Sequence, residues 1–351
     1  DEPDPEPVDP RINGGGSSGH GGNPSKRFNP AVLASPVATQ AAGHATMNQT
    51  FQYVFEHADA FTQLPAIDRF AKIHNNEYAL STDYNSNLGR IDVDSQNKAV
   101  WVRPYTSFDK TELKNGPEVK SINYGTIIGG DSEFRKLGHG WSNVGTAYAG
   151  YFGSQVDHDQ VSTTMNGGLV GVTETFYKGN FFTALTASVG AGMAESHTMY
   201  GKDDITMLMA GVASKSGYNF EFKEGKFIVQ PIMMMNYTMV NTFDYTNAAG
   251  VKIDSDPLHT IQINPSVRFI GNLKGGWQPY ASVGMVWNLM NETDVRANGV
   301  ELPHMHTKPY VEYGVGLQRH WNEKFSAFGQ AMVRNGGRTG VALTAGFRWA
   351  L

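Results

Sequence analysis

The chain's last eleven residues, Val341-Ala-Leu-Thr-Ala-Gly-Phe-Arg-Trp-Ala-Leu351, alternate without a break. Val341, Leu343, Ala345, Phe347, Trp349 and Leu351 fall on one face; Ala342, Thr344, Gly346, Arg348 and Ala350 fall on the other. Successive strand side chains point to opposite faces, so one face here is apolar and the other small or polar. A strand with lipid on one side and a wet interior on the other reads this way. From Ala99 onward the alternation returns in twelve segments, near 99–112, 120–136, 141–156, 160–177, 181–196, 204–222, 226–243, 259–272, 277–292, 306–321, 325–334 and 340–351. Most exceed the roughly nine to eleven residues a tilted strand needs to cross a bilayer. The two faces are explicit where Ile261, Ile263, Pro265, Val267 and Phe269 oppose Gln262, Asn264, Ser266 and Arg268. The segment at 226–243 is poorer, with Met234 on its inner face beside Gln230, Asn236 and Thr238.

Composition narrows the class. No stretch approaches the run of about 18 apolar residues that a spanning helix requires, and mean hydropathy is −0.37. Net charge is −5 with no basic stripe, which argues against nucleic acid as a partner. Cysteine is absent, in keeping with an oxidising compartment. Connections after even-numbered segments are short: Gly138-His-Gly140, Lys178-Gly-Asn180, Lys223-Glu-Gly225, Lys274-Gly-Gly276 and Asn322-Glu-Lys324. Most of the others are longer, notably Tyr245–Pro257 and Glu292–Met305, with short exceptions at 157–159 and 335–339. Short turns on one rim and long loops on the other separate a membrane barrel from a soluble sandwich. Trp141, Tyr177, Phe181, Phe182, Phe222, Phe227, Trp277, Trp321, Phe325 and Trp349 gather by the short turns, as an interfacial girdle does.

Ahead of the barrel region, residues 1–28 are an acidic, proline-rich run followed by a glycine-rich spacer, a composition that cannot bury a core. The chain starts abruptly at Asp1, as a fragment or processed product would. Residues 29–97 contain a predicted helix at about 37–63, where Ala41, Ala45, Met47, Phe51, Val54, Phe55 and Phe61 recur at spacings near three and four. Gln40, His44, Asn48, Gln49, Gln52 and Glu56 line its other side. A second short helix is placed at Ile67–His74. The barrel occupies 98–351.

Several motifs carry a family resemblance. Val100-Trp-Val-Arg-Pro-Tyr105 is similar to a W-x-R-x-Y first strand. Asn123-Tyr-Gly-Thr-Ile-Ile-Gly-Gly-Asp131 is similar to a Y-G-x-x-x-G-x-D second strand. Gly145–Tyr151, Pro309–Gly316 and the terminal Gly346-Phe-Arg-Trp-Ala-Leu351 follow in order. In this order the chain resembles the translocator domain of a monomeric autotransporter of type Va secretion over residues 37–351. It departs in ending on Leu351 where the family often has Phe or Trp. The resemblance implies an all-β transmembrane barrel of twelve up-and-down antiparallel strands with an N-terminal helix in the lumen. It implies residence in the outer membrane of a diderm bacterium, with linker and passenger at the cell surface. Implied partners are outer-membrane lipid, the chain's own N-terminal passenger, the barrel assembly machinery and periplasmic chaperones. The barrel is expected to be a monomer. Gly346, Phe347, Trp349 and Leu351 would form the C-terminal assembly signal.

Alternation predicts that Arg103, Glu174, Lys215, Glu221, Gln262, Arg268, Glu312, Gln330, Arg334 and Arg348 face the lumen. Arg319 falls outward, beside a turn, where it can snorkel. No catalytic set, cofactor fingerprint or metal motif is present. Gly15-Gly-Ser-Ser-Gly19 mimics a nucleophile elbow, but inside a linker. His304 and His306 lack a third ligand nearby in sequence. Asn75-Asn76 follows the helix, so self-cleavage there is not expected. Two alternatives remain: a passive channel with a plugging helix, and an enzyme or adhesin acting through the loops at 245–257 and 292–305.

Overall fold

The computed structural model describes residues 30–59, 98–290, 292–321 and 325–351. Twelve strands run antiparallel: β1 (Ala99–Lys114), β2 (Glu118–Asp131), β3 (Trp141–His158), β4 (Val161–Lys178), β5 (Phe181–Thr198), β6 (Gly201–Tyr218), β7 (Phe227–Thr242), β8 (Leu258–Gly271), β9 (Trp277–Leu289), β10 (Tyr310–His320), β11 (Phe325–Gly336) and β12 (Arg338–Ala350). Each pairs with the next, and β12 pairs back onto β1, with Val100 opposite Trp349 and Phe108 opposite Val341. Closure leaves no unpaired backbone edge facing lipid.

The expected segments need three adjustments. The second breaks after Asp131 and resumes as Arg135–Gly138 against β3. The sixth ends at Tyr218, and Phe220–Phe222 then pairs separately with the start of β7. The tenth begins at Tyr310 because His306–Thr307 pairs instead with Leu113–Lys114 of β1. Pieces of the two long loops (Tyr245–Thr246, Lys252–Ser255, Val295–Ala297 and Val300–Glu301) form a separate four-stranded sheet. Its Ile253 and Val295 join the same hydrophobic cluster as the lumen residues, so the sheet sits against the contents of the bore.

The outer face is apolar, as the alternation requires: Val170, Val172, Val189, Met193, Val212 and Phe347 are all exposed. Trp141 meets Phe181 edge-on at 6.2 Å, and Phe325 packs against Phe347 and Trp349 at the same rim. Two members of the expected girdle are not in it. Tyr177 and Phe182 are buried on the lumen side, Tyr177 stacked on Phe134 at 5.3 Å. Arg319 lies outward between two girdle rings, 4.5 Å from Trp277 and 5.0 Å from Trp321.

A short helix α1 (Pro30–Leu33) leads into α2 (Ser35–Asp59), 25 residues long. At about 1.5 Å per residue it spans nearly 40 Å, enough to traverse the barrel. Pro36 is at the start of α2, where its missing N–H costs nothing. The predicted extension to residue 63, the second helix at Ile67–His74 and the pair Asn75-Asn76 lie outside the described residues. The helix is buried on nearly every side. Met47, Phe51, Val54 and Phe55 are all at most 1% exposed. They lean on the β3–β7 wall, closest to β6 and β7. Two glycines permit that approach: a Cβ on Gly43 would lie 2.6 Å from the Met207 sulfur, and one on Gly211 would lie 2.9 Å from the Phe51 ring. Met234 of β7, the misfit of its strand, is buried in the same cluster. It faces inward because that wall faces protein, not water.

Candidate functional site

The bore is organised around a polar ridge on α2: Gln40, His44, Asn48, Gln52 and Glu56, spaced four apart. On an α-helix, residues four apart stack on one face. At the long-loop rim, Ser196 of β5 donates to the Ser35 hydroxyl at 3.1 Å. Gln40 donates to the Thr242 hydroxyl at 3.3 Å and to the Asp256 carbonyl at 3.0 Å. Lower down, His44 shares a hydrogen bond with Thr238 at 2.8 Å, and Asn48 donates back to His44 at 2.8 Å. Gln49 donates to Ser107 of β1 at 2.8 Å.

The strongest contacts lie at the short-turn rim. Glu56 accepts from Arg103 of β1 at 2.8 Å and from Gln330 of β11 at 2.9 Å. Both ion-pair side chains are almost fully buried, 2% exposed for Arg103 and 6% for Glu56. The Arg103 guanidinium also stacks 3.7 Å over the Phe328 ring. One residue on, His57 stacks on Trp101 at 4.5 Å and hydrogen-bonds to Asp131 at 2.8 Å. Asp131 also receives the Trp101 indole N–H at 3.2 Å, the Thr146 hydroxyl at 2.9 Å and the Arg348 Nε at 3.4 Å. One carboxylate therefore joins α2 to β1, β2, β3 and β12. A second buried carboxylate, Asp109 of β1, is held by Arg334 at 2.9 Å and Arg338 at 2.6 Å. Arg334 reaches Glu312 at 3.6 Å, and Asn264 donates to Glu312 at 2.8 Å.

What space remains is small. A gap of about 40 Å³ lies between α2 and the β8–β10 wall, lined by Gln52, Glu56, Asn264, Arg268 and Glu312. A second of about 40 Å³ lies higher, beside His44, Asn48, Gln262 and Asn288. Each holds a water or two. The arrangement can hold a helix.

Of the residues expected in the lumen, Arg103, Lys215, Gln262, Arg268, Glu312, Gln330 and Arg334 are buried on the inner face, and Arg348 is nearly so. Arg103 and Gln330 touch the helix directly. Arg268 stacks 4.9 Å from the Tyr280 ring. Glu221 is half-buried at the short-turn rim between exposed Phe220 and Phe222. Glu174 is a correction. It shares the outer face of β4 with Val170 and Val172, half-buried and hydrogen-bonded by Asn143, while Thr173 and Thr175 face in. Apolar Met165, Leu169 and Tyr177 set the inward parity of that strand because α2 and Phe134 cover that wall, so polarity there misleads. At the C-terminus, Gly346 lies under the Phe328 ring, Phe347 and Trp349 face outward, and the Leu351 amide donates to the Lys98 carbonyl at 2.7 Å. Asp109, Arg338 and His57 were missed, and Asp131 was noticed only as the Asp of the second-strand motif. The inward parity of Arg103 would have found Asp109, six residues along the same strand.

A family model described as the autotransporter β-domain matches residues 100–331. No curated protein matches the sequence. Among solved structures, the β-domain of the Bordetella autotransporter BrkA is 16% identical, with a TM-score of 0.60 over 73% of this chain and 100% of that one. The transport unit of AIDA-I from Escherichia coli is 14% identical, with a TM-score of 0.63 over 82% and 99%. The translocator domain of NalP from Neisseria meningitidis is 12% identical, with a TM-score of 0.61 over 81% and 96%. At such identities these three likenesses speak to the fold.

Proposed function

The chain belongs to the autotransporter β-domain family, and we propose that α2 is the trailing end of an exported polypeptide, held in the bore as its anchor. The barrel is an outer-membrane translocator for a passenger domain. The observation that carries the anchoring reading is the direction of α2. Its first residue meets β5 at the long-loop rim, and its last turn meets Asp131 at the short-turn rim, beside the start of β1. A chain in that direction leaves through the long-loop mouth. With the short turns periplasmic, residues 1–28 would be the linker to a passenger outside the cell, 29–97 the lumenal and connecting segment, and 98–351 the barrel. The inward charges then act as a seat for the helix. The outward Phe347, Trp349 and Leu351, with Gly346 beneath Phe328, would be the signal that the barrel assembly machinery reads, with periplasmic chaperones delivering the chain. We read the module as working in transport, not catalysis.

An epitope fused ahead of Asp1 tests this in intact cells. Protease added outside should remove it and leave the barrel whole; an epitope protected outside and cut only in lysed cells would refute the orientation. The channel reading is separated in planar bilayers. A seated helix predicts that removing residues 1–63 raises steady conductance, and equal conductance with and without them would favour a passive pore.

A further inference from the structure

We propose that two buried carboxylates, Asp109 and Asp131, bar β12 from closing onto β1 in the slipped register that sets Leu343 opposite Phe108. The need for a selector follows from the pattern itself. A one-residue slip would turn every side chain of β12 to the wrong face, and lipid forbids it. A two-residue slip keeps the alternation intact: Val341, Leu343, Ala345, Phe347 and Trp349 would still all face outward. Hydrophobicity alone therefore does not distinguish the native seam from one displaced by about 6.6 Å, two strand residues.

The backbone ladder is also weakest where it would help most. Pro104 of β1 has no N–H, and the β1–β12 pairing is interrupted between Val102–Phe347 and Tyr105–Thr344. The Thr344 hydroxyl, donating to the Pro104 carbonyl at 3.1 Å, fills part of the gap.

The charged groups supply what the pattern lacks. Above the interruption, Asp109 on β1 is clasped by Arg338 of β12 at 2.6 Å and Arg334 of β11 at 2.9 Å, its side chain fully shielded from solvent. Below it, Asp131 on β2 meets Arg348 of β12 at 3.4 Å across β1, and is equally shielded. Both clasps span the seam, ten residues apart on β12. The reverse slip, with Thr339 opposite Phe108, would set Arg338 directly opposite Asp109 and Arg348 opposite Ala99, so the clasps do not oppose it; the slip with Leu343 opposite Phe108 carries both arginines away together, Arg338 to Leu113 and Arg348 to Arg103. It leaves buried carboxylates short of their partners, a state more costly than a broken surface pair. Since Arg334 sits on β11, the Asp109 clasp ties β1 to the second strand beyond the seam as well as to the first. Changing the seam register would alter the barrel's shear, so the choice fixes the shape of the bore that must receive α2.

The test uses the full chain, which has no cysteine. Phe108 and Val341 face outward and lie opposite one another, so Phe108→Cys with Val341→Cys reports the native register. Phe108→Cys with Thr339→Cys or Leu343→Cys reports a slip of two in either direction. Those pairs are diagonal neighbours in the native barrel, about 7–8 Å apart and beyond disulfide reach. The parent should crosslink only in the native pair. In an Asp109→Asn, Asp131→Asn background, Phe108–Leu343 crosslinks should rise by about tenfold or more relative to native ones in barrels that still resist SDS without heating, and Phe108–Thr339 crosslinks should not. Native crosslinks alone in such folded barrels would overturn the proposal. Arg338→Gln, which leaves Asp109 its Arg334 partner, is the milder variant and should shift the ratio the same way. Failure of both variants to form any closed barrel would also overturn it, since the clasps would then be needed for folding and not for choosing the register.

Discussion

Removing one partner of the Glu56–Arg103 pair should unseat the helix, and removing both should do less harm. The pair is 2.8 Å long with side chains 6% and 2% exposed, so solvent screens it little. Losing one member of such a pair costs about 3–5 kcal/mol, mostly as the penalty of a stranded buried charge. In Glu56→Leu the guanidinium keeps its Phe328 ring, a contact it had before and therefore no compensation. Gln330 loses an acceptor as well, worth about 1 kcal/mol. The unseated helix lets water reach Arg103 and relieves part of this, so about 3 kcal/mol is the working figure. That is roughly a hundredfold rise in the unseated fraction. Hydrogen exchange in micelles reads it directly: amides of α2 near Glu56 should lose about a hundredfold of protection while strand amides keep theirs. Glu56→Leu with Arg103→Leu removes the stranded charge and should recover most of that loss. Unchanged α2 protection in the single variant, or a double variant worse than the single, would refute the reasoning.

Three further outcomes follow from other contacts. Gly43→Val drives a side chain into Met207 and should cost about 1–3 kcal/mol of overpacking, read as a lower temperature for losing the compact gel band. His57→Ala leaves Asp131 without its helix partner and should cost about 1.5–3 kcal/mol, seen as faster exchange confined to the last turns of α2. Arg319→Ala removes a cation from between Trp277 and Trp321 and should cost about 0.5–1 kcal/mol, with a change in their fluorescence and none in α2 protection.

The barrel was legible because lipid imposes one rule on every outward position, and Val170, Val283, Val315 and Phe347 all obey it. The inner face was more legible on one side than on the other. Facing β8–β12, the bore keeps the polar lining that a wet lumen would have, and Gln262, Arg268, Glu312, Gln330, Arg334 and Arg348 fell where alternation put them. Facing β3–β7, α2 turns the bore into a protein interior lined by Phe152, Met165, Leu169, Met207 and Met234. There an apolar residue no longer marks the lipid side, which is how Glu174, Tyr177 and Phe182 came to be assigned to the wrong face. The pairing of Asp109 with Arg338 needed the ring closed first, because 229 residues separate the two in sequence.

The two-sided lumen also explains how a helix with so little amphipathic character is held. An α-helix advances about 100° per residue, so a ridge of residues four apart drifts about 40° at each step and about 160° from Gln40 to Glu56. Their partners drift with them. Gln40 bonds to β7, His44 to β7 and, more weakly, to Asn288 of β9, and Glu56 to β11 and β1, about half of a twelve-strand ring. The apolar residues on the other side of α2 drift equally over the β3–β7 wall. Sliding the helix one turn along the bore would bring Thr39 or Met47 to the place where only Gly43 clears Met207, so the apolar side resists it there. It would break every polar contact at once. The seat is thus set by the hydrogen bonds, the Glu56–Arg103 ion pair and the close fit at Gly43, and the affinity by burial.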